Sequence, residues 1–392
     1  MFRATSGILL PTTITGSLPR PSWYTENLGP RAFIDAMVSR RFREQYEDAL
    51  TSYIGAEELA GLDILTDGDC RFDDDVAGQS WLGYPPRHMA GFDRDPRPFA
   101  VDPRGFAFPR GHILHDFLES RVYPSIVGPV GRGTLQYAAI WTAAQRIATR
   151  PVKFGTVTAE LIATGVRDRY YNSVRDRIMA VAHALNEELT ELADAGCPAI
   201  QIEETQIHSL AARGGFTAEL TPDFMIAVFN ATVKGLGPKT EVWCHTCWGN
   251  PSQQRMHARP PSYEKSLEHL AKIDADVITF ECCSSGGLDF KAVAEALPGK
   301  KIAIGAIDHH TMQVERPEEV ADLIRRALEH IPAERLIVTT DCGLGREGMS
   351  RRHAFYKVVS LVQGTNLVRR ELGAPEAECR AADGRYTLTE RG

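Results

Sequence analysis

The chain has 392 residues, 43% of them hydrophobic and 24% charged, with 44 Lys and Arg against 51 Asp and Glu for a formal charge of −7. That balance gives no sequence-independent pull toward nucleic acid or an anionic membrane surface. No apolar run reaches the ~20 residues of a membrane span, and the first eleven residues make no convincing export signal. A cytoplasmic setting is expected, in which the eight cysteines are reduced thiols available to metal or catalysis.

In chain order, short apolar and β-branched runs stand at 12–15 (TTIT), 63–66 (DILT), 152–157 (VKFGTV), 199–203 (AIQIE), 241–245 (EVWCH), 276–280 (DVITF), 301–307 (KIAIGAI) and 335–340 (RLIVTT). Most lack alternation, as in strands buried on both faces of a parallel sheet. Helical patterns fill the gaps. Val174, Ile178, Val181, Leu185, Leu189 and Leu192 recur at three- and four-residue steps and stop at Gly196. Val320, Leu323, Ile324, Ala327, Leu328 and Ile331 follow a first turn of Pro317, Glu318 and Glu319. Residues 221–236 and 262–273 fill two more gaps. Eight strands alternating with helices predict an α/β fold, a (β/α)8 TIM barrel, with a doubly wound open sheet as the alternative.

Residues 71–123, rich in Pro, Gly, Asp and aromatics, are expected to form a long insertion after the second strand. The stretch from 124 to 150 is expected to add a strand and a helix before the third. Residues 1–372 are then one barrel, and the Ala-, Glu- and Arg-rich tail at 373–392 is expected to be partly disordered.

Active sites of such barrels lie at the C-terminal ends of the strands. Those ends carry Gly16-Ser17, Asp67-Gly68-Asp69, Thr156 and Thr158, Glu203-Glu204, His245-Thr246-Cys247, Glu281-Cys282-Cys283, Asp308-His309-His310 and Asp341-Cys342-Gly343. His245 and Cys247, two apart on an extended segment, share a face. With Glu281 and Cys342 they make a four-donor set that suits zinc and disfavours magnesium or calcium. Cys283 shares the face of Glu281 and is an alternative to it. Cys244 should point the other way, into the core. Cys70, Cys197 and Cys379 are expected to be structural or incidental.

The segments TTITGSLPRP, DILTDGD, IQIEE, HTC, VITFE, AIDHHT and TTDCGLG together resemble the catalytic barrel of the cobalamin-independent methionine synthase family. The resemblance implies a zinc ion on His245, Cys247, Glu281 and Cys342 and the thiol homocysteine as methyl acceptor. It implies that Ser17 lies near the substrate carboxylate, that Asp69 and Glu203 hold its amine, and that His310, with Asp308, handles a proton at the donor. Asp67 and Asp341 are expected to orient neighbours, and Glu204 to anchor by hydrogen bonds. Zinc would deprotonate the bound thiol, and Glu281 is expected to yield its place to the substrate sulfur.

Two departures bear on the partners. Ile162 stands where long family members place a tryptophan against the folate ring, and Asp69 stands where they have Glu. The expected donors are methylcobalamin, a corrinoid protein or methyl-tetrahydrofolate. The alternative is an epoxyalkane:coenzyme M transferase type of thiol alkylation, for which Arg20, Arg71 and Arg346 could meet a sulfonate. A metal-free decarboxylase and a non-catalytic zinc module fit the donor set less well. No nucleic-acid or membrane partner is expected, and the sequence does not set an oligomeric state.

Overall fold

The computed structural model describes residues 4–69, 80–93, 97–98, 122–213, 218–248, 262–283, 287–345 and 349–382. Strands β1 (Leu65–Thr66), β6 (Val152–Val157), β7 (Ala199–Glu203), β8 (Glu241–Thr246), β9 (Val277–Phe280), β10 (Lys301–Gly305) and β11 (Leu336–Thr339) form one parallel sheet in that order. Among the described residues, four short strands between β1 and β6 pair outside it. These are β2 (Ala90–Phe92) with β5 (Ile126–Gly131), and β3 (Arg97–Pro98) with β4 (Val122–Tyr123), both antiparallel.

The first expected strand is reduced to a single parallel bridge between Thr12 and Val338. The reason is local. Pro11 has no N–H to give, Thr12 N donates to Asp63 Oδ2, and Thr15 N donates to Thr340 Oγ1. The segment still joins the two edges of the sheet. Thr13 N donates to Val338 O and Val338 N to Pro11 O on one side, and Asp63 and Ile64 N–H groups donate to Thr12 O on the other. The sheet is thus curled into the barrel that the run count predicts.

The connecting helices follow the periodicities. Val174–Asp194 starts at Ser173, whose hydroxyl accepts from Asp176 N, and the chain turns away at Gly196 with φ of +101°. Pro317–Leu328 buries Val320, Leu323, Ile324 and Ala327. Residues 262–273 supply only a 3-10 turn and a short helix, Leu267–Leu270. The described part of the insertion includes helix Ser80–His88, tied down by Tyr84 Oη donating to Leu135 O at 2.7 Å. The tail packs against the body of the protein as far as Ala382. Asn366 hydrogen-bonds both N–H and C=O of Ala377, and Ala377, Cys379 and Ala381 pack on the core. Residues 383–392 lie outside the described residues.

The barrel interior is closed at its lower end. Ile64, Ala199, Trp243, Val277, Ala303 and Ile337 cluster with Ala4, and Thr5 donates to Glu241 Oε1 through both N–H and hydroxyl. The upper end is left for polar groups. Among the described residues no helix is long and apolar enough to cross a membrane.

Candidate metal centre

Strand alternation sorts the cysteines of β8 and its end. Cys244 is fully buried in the hydrophobic core, while His245 turns to the opposite face. There the ligand atoms of His245, Cys247 and Cys342 lie within 4.8 Å of one another. The two sulfurs are 3.9 Å apart. Two thiolates each about 2.3 Å from one tetrahedral zinc would sit about 3.8 Å apart, so the spacing fits that ion. His245 Nε2 is buried and has no hydrogen-bond partner. The hydrogen bond with Cys342, together with burial, holds the Cys247 thiol well above its ordinary range. The pair therefore needs a cation to become thiolate.

The row Glu203, His245, Thr279 runs in register across β7, β8 and β9. Thr279 Oγ1 is hydrogen-bonded to His245 Nδ1 at 2.5 Å, which leaves Nε2 for the sulfurs. Glu203 Oε2 lies 3.6 Å from Nε2.

Glu281 is buried beside this group but outside the set within 4.8 Å, and its Oε2 accepts from Trp248 N at 2.9 Å. Cys283 stands apart as well. Its Sγ faces Gly305 O at 3.4 Å, and its N–H, like that of Cys282, donates to the Asp341 carboxylate. Asp341, fully buried, thereby shapes the loop that carries Glu281.

Next to the sulfurs lies a group of acidic side chains. Burial pushes the Glu203 carboxyl up to about 7, against the pull of His245. Asp69 is a non-glycine residue at φ +51°, held by its N–H to Asp67 Oδ1 at 2.9 Å. Its carboxylate lies over Gly155, where a Cβ would come within 2.6 Å of Oδ1. Ser17 is buried with its hydroxyl unpartnered. The loop after β11 reaches it because Gly343 has no side chain, as a Cβ there would meet Ser17 N at 2.7 Å.

Asp308, His309 and His310 form a second group on the turn after β10. His310 N donates to Asp308 Oδ1 at 2.7 Å, and its Nδ1 is 3.4 Å from the same oxygen. Burial pushes Asp308 up, but these bonds to His310 outweigh it and hold the carboxyl below its ordinary range. Glu204 caps helix Gln206–Arg213, accepting from Gln206 and Ile207 N–H groups. Of the arginines considered for a sulfonate, Arg20 donates to Glu26 O and stacks 4.7 Å from the Tyr24 ring centroid. Arg71, Arg346 and Cys70 lie outside the described residues.

Several supporting residues are absent from the sequence-based set. Thr279 could have been found, since it sits two before Glu281 on the same strand face. Lys153 and Gln201 are polar residues inside strands buried along their whole length, a pattern that signals an internal network. His208, whose Nε2 is hydrogen-bonded to Cys247 O at 2.7 Å, packs with Trp248 and Tyr263 beneath that loop. No sequence spacing signals that contact.

A family model described as the cobalamin-independent synthase catalytic domain matches residues 97–365. A methionine synthase of Saccharolobus solfataricus is 28% identical over 365 residues, covering 93% of this chain and 96% of that protein. One from Sulfurisphaera tokodaii is 27% identical over 372 residues, covering 93% and 94%. Among solved structures, a B12-independent methionine synthase from a Shewanella species, in complex with selenomethionine, is similar with a TM-score of 0.73 and 26% identity, covering 93% of this chain and 99% of that one. A putative B12-independent methionine synthase of Listeria monocytogenes shares the fold at a TM-score of 0.63 and 16% identity, covering 91% and 96%.

Proposed function

Since the chain belongs to the family of the cobalamin-independent synthase catalytic domain, we propose that it is a zinc-dependent methyltransferase that converts homocysteine to methionine. The observation that carries the zinc part is the 3.9 Å spacing of Cys247 and Cys342 beside the unpartnered His245 Nε2. When bound there, zinc would keep the substrate sulfur deprotonated at neutral pH.

The chain's own residues do the rest. Cys247, Cys342 and His245 would hold the metal, and the Thr279 hydroxyl, hydrogen-bonded to Nδ1, holds the imidazole with Nε2 turned toward the sulfurs. Glu281, whose carboxylate accepts from Trp248 N–H, would be the fourth ligand. Asp69 and Glu203 receive the α-ammonium, and Ser17 the carboxylate. The sulfur attacks the donor methyl carbon, a C–S bond forms, and the donor leaves with the electron pair of the broken bond. His310, oriented by Asp308, would give a proton to the leaving nitrogen of a folate donor, a step that a corrinoid donor does not need. Ile162 is buried in the core at 1% exposure and offers no ring to a pterin. This favours methylcobalamin or a corrinoid protein over methyl-tetrahydrofolate as donor. The acidic side chains disfavour a sulfonate-bearing thiol, and a cytoplasmic setting suits an enzyme of reduced thiols.

The test is methyl transfer by zinc-loaded protein from methylcobalamin and from methyl-tetrahydrofolate, with homocysteine or coenzyme M as acceptor. Methionine from homocysteine and little product from coenzyme M is expected. Product from coenzyme M alone, or none from either acceptor with either donor, would overturn the reading.

A further inference from the structure

Below the candidate metal centre, the barrel interior carries a chain of polar side chains. Lys153 on β6 donates from Nζ to Gln201 Oε1 at 2.6 Å and to Ile14 O at 2.9 Å. It also sits 4.5 Å from the centroid of the Trp243 ring. Gln201 Nε2 in turn donates to Glu203 Oε1 at 2.7 Å. Gln201 and Glu203, two apart on β7, share its inner face.

The direction of this chain is set by Lys153. An ammonium has donors only, so Gln201 must give it the carbonyl oxygen and keep its NH₂ for Glu203. Turned the other way, Gln201 would set its carbonyl against the Glu203 carboxylate and its amide against the Lys153 ammonium. Burial draws Lys153 down to about 8, opposed by the charges of Glu203, Asp69 and Glu57, so it remains a cation at neutral pH. Glu203 Oε1 is thus occupied, and Oε2 is left on the His245 side.

Resting on the reading of homocysteine as substrate, we propose that Lys153 is a positioning residue for substrate choice. Through Gln201 it presents Glu203 to an ammonium, so the protein selects thiols that carry an α-amine over thiols that carry a carboxylate alone.

The experiment is calorimetric binding to the zinc-loaded full chain of homocysteine and of 4-mercaptobutanoate, which lacks the amine. Wild type should prefer homocysteine by about 10- to 100-fold, the range of a hydrogen bond to a charged group. Lys153→Met should reduce the preference to within about threefold, with zinc content and the affinity for 4-mercaptobutanoate unchanged. Gln201→Leu breaks the same chain while leaving Lys153 its bond to Ile14, and should give the same result if Lys153→Met does not fold. A preference that the folded variants retain overturns this inference alone. A wild type without preference overturns both it and the homocysteine reading.

Discussion

His245 and Thr279 are register partners on β8 and β9, and the threonine hydroxyl is hydrogen-bonded to the imidazole Nδ1. A hydroxyl hydrogen-bonded behind a ligating histidine holds its ring plane. Thr279→Val keeps the shape and removes that bond. It should lower zinc affinity by about 10- to 100-fold in competition with a chelator, with the metal-free melting midpoint close to wild type. Unchanged affinity would mean that packing alone orients His245.

Gly155 leaves the space that the Asp69 carboxylate fills, and a Cβ would lie 3.1 Å from Asp69 Cγ. Gly155→Ala should displace Asp69, raise KM for homocysteine about tenfold, the weight of one charged hydrogen bond, and leave zinc content intact. A KM equal to wild type would remove Asp69 from the group that receives the amine.

The insertion carries a pH-sensitive residue far from this chemistry in sequence. Burial first, and the Arg87 charge second, push the His88 imidazole down to about 4, and its ring stacks on Tyr84 at 4.0 Å. The folded value lies below the ordinary 6.5. Its contribution is therefore full above pH 6.5 and is lost as pH falls through 4. Relative to His88→Phe, wild type should lose about 3 kcal/mol of urea stability between pH 7 and pH 4. Parallel losses in the two proteins would show that His88 is not buried as a neutral ring.

Much of the upper barrel was legible because strand periodicity decides it. Strand alternation separates Cys244 in the core from its neighbour His245 in the interior, and the end of each run locates the polar groups. The first strand was legible as a position but not as a ladder, because side chains of Asp63 and Thr340 take the N–H groups of Thr12 and Thr15. The placement of Glu281 apart from the sulfurs was not legible either. It depends on Trp248 N–H, a tertiary contact with no sequence period. Asp341 was expected to orient its neighbours, but the residues it grips, Cys282 and Cys283, lie 59 and 58 positions away in sequence. The order of the tail to Ala382 rests on Asn366, which composition cannot reveal.

The most direct measurement is zinc K-edge X-ray absorption on the purified protein, before and after homocysteine is added. One zinc per chain with two sulfur neighbours, rising to three with homocysteine, is the expected result. A folded protein that takes up no zinc, or a sulfur count that homocysteine leaves unchanged, would contradict it.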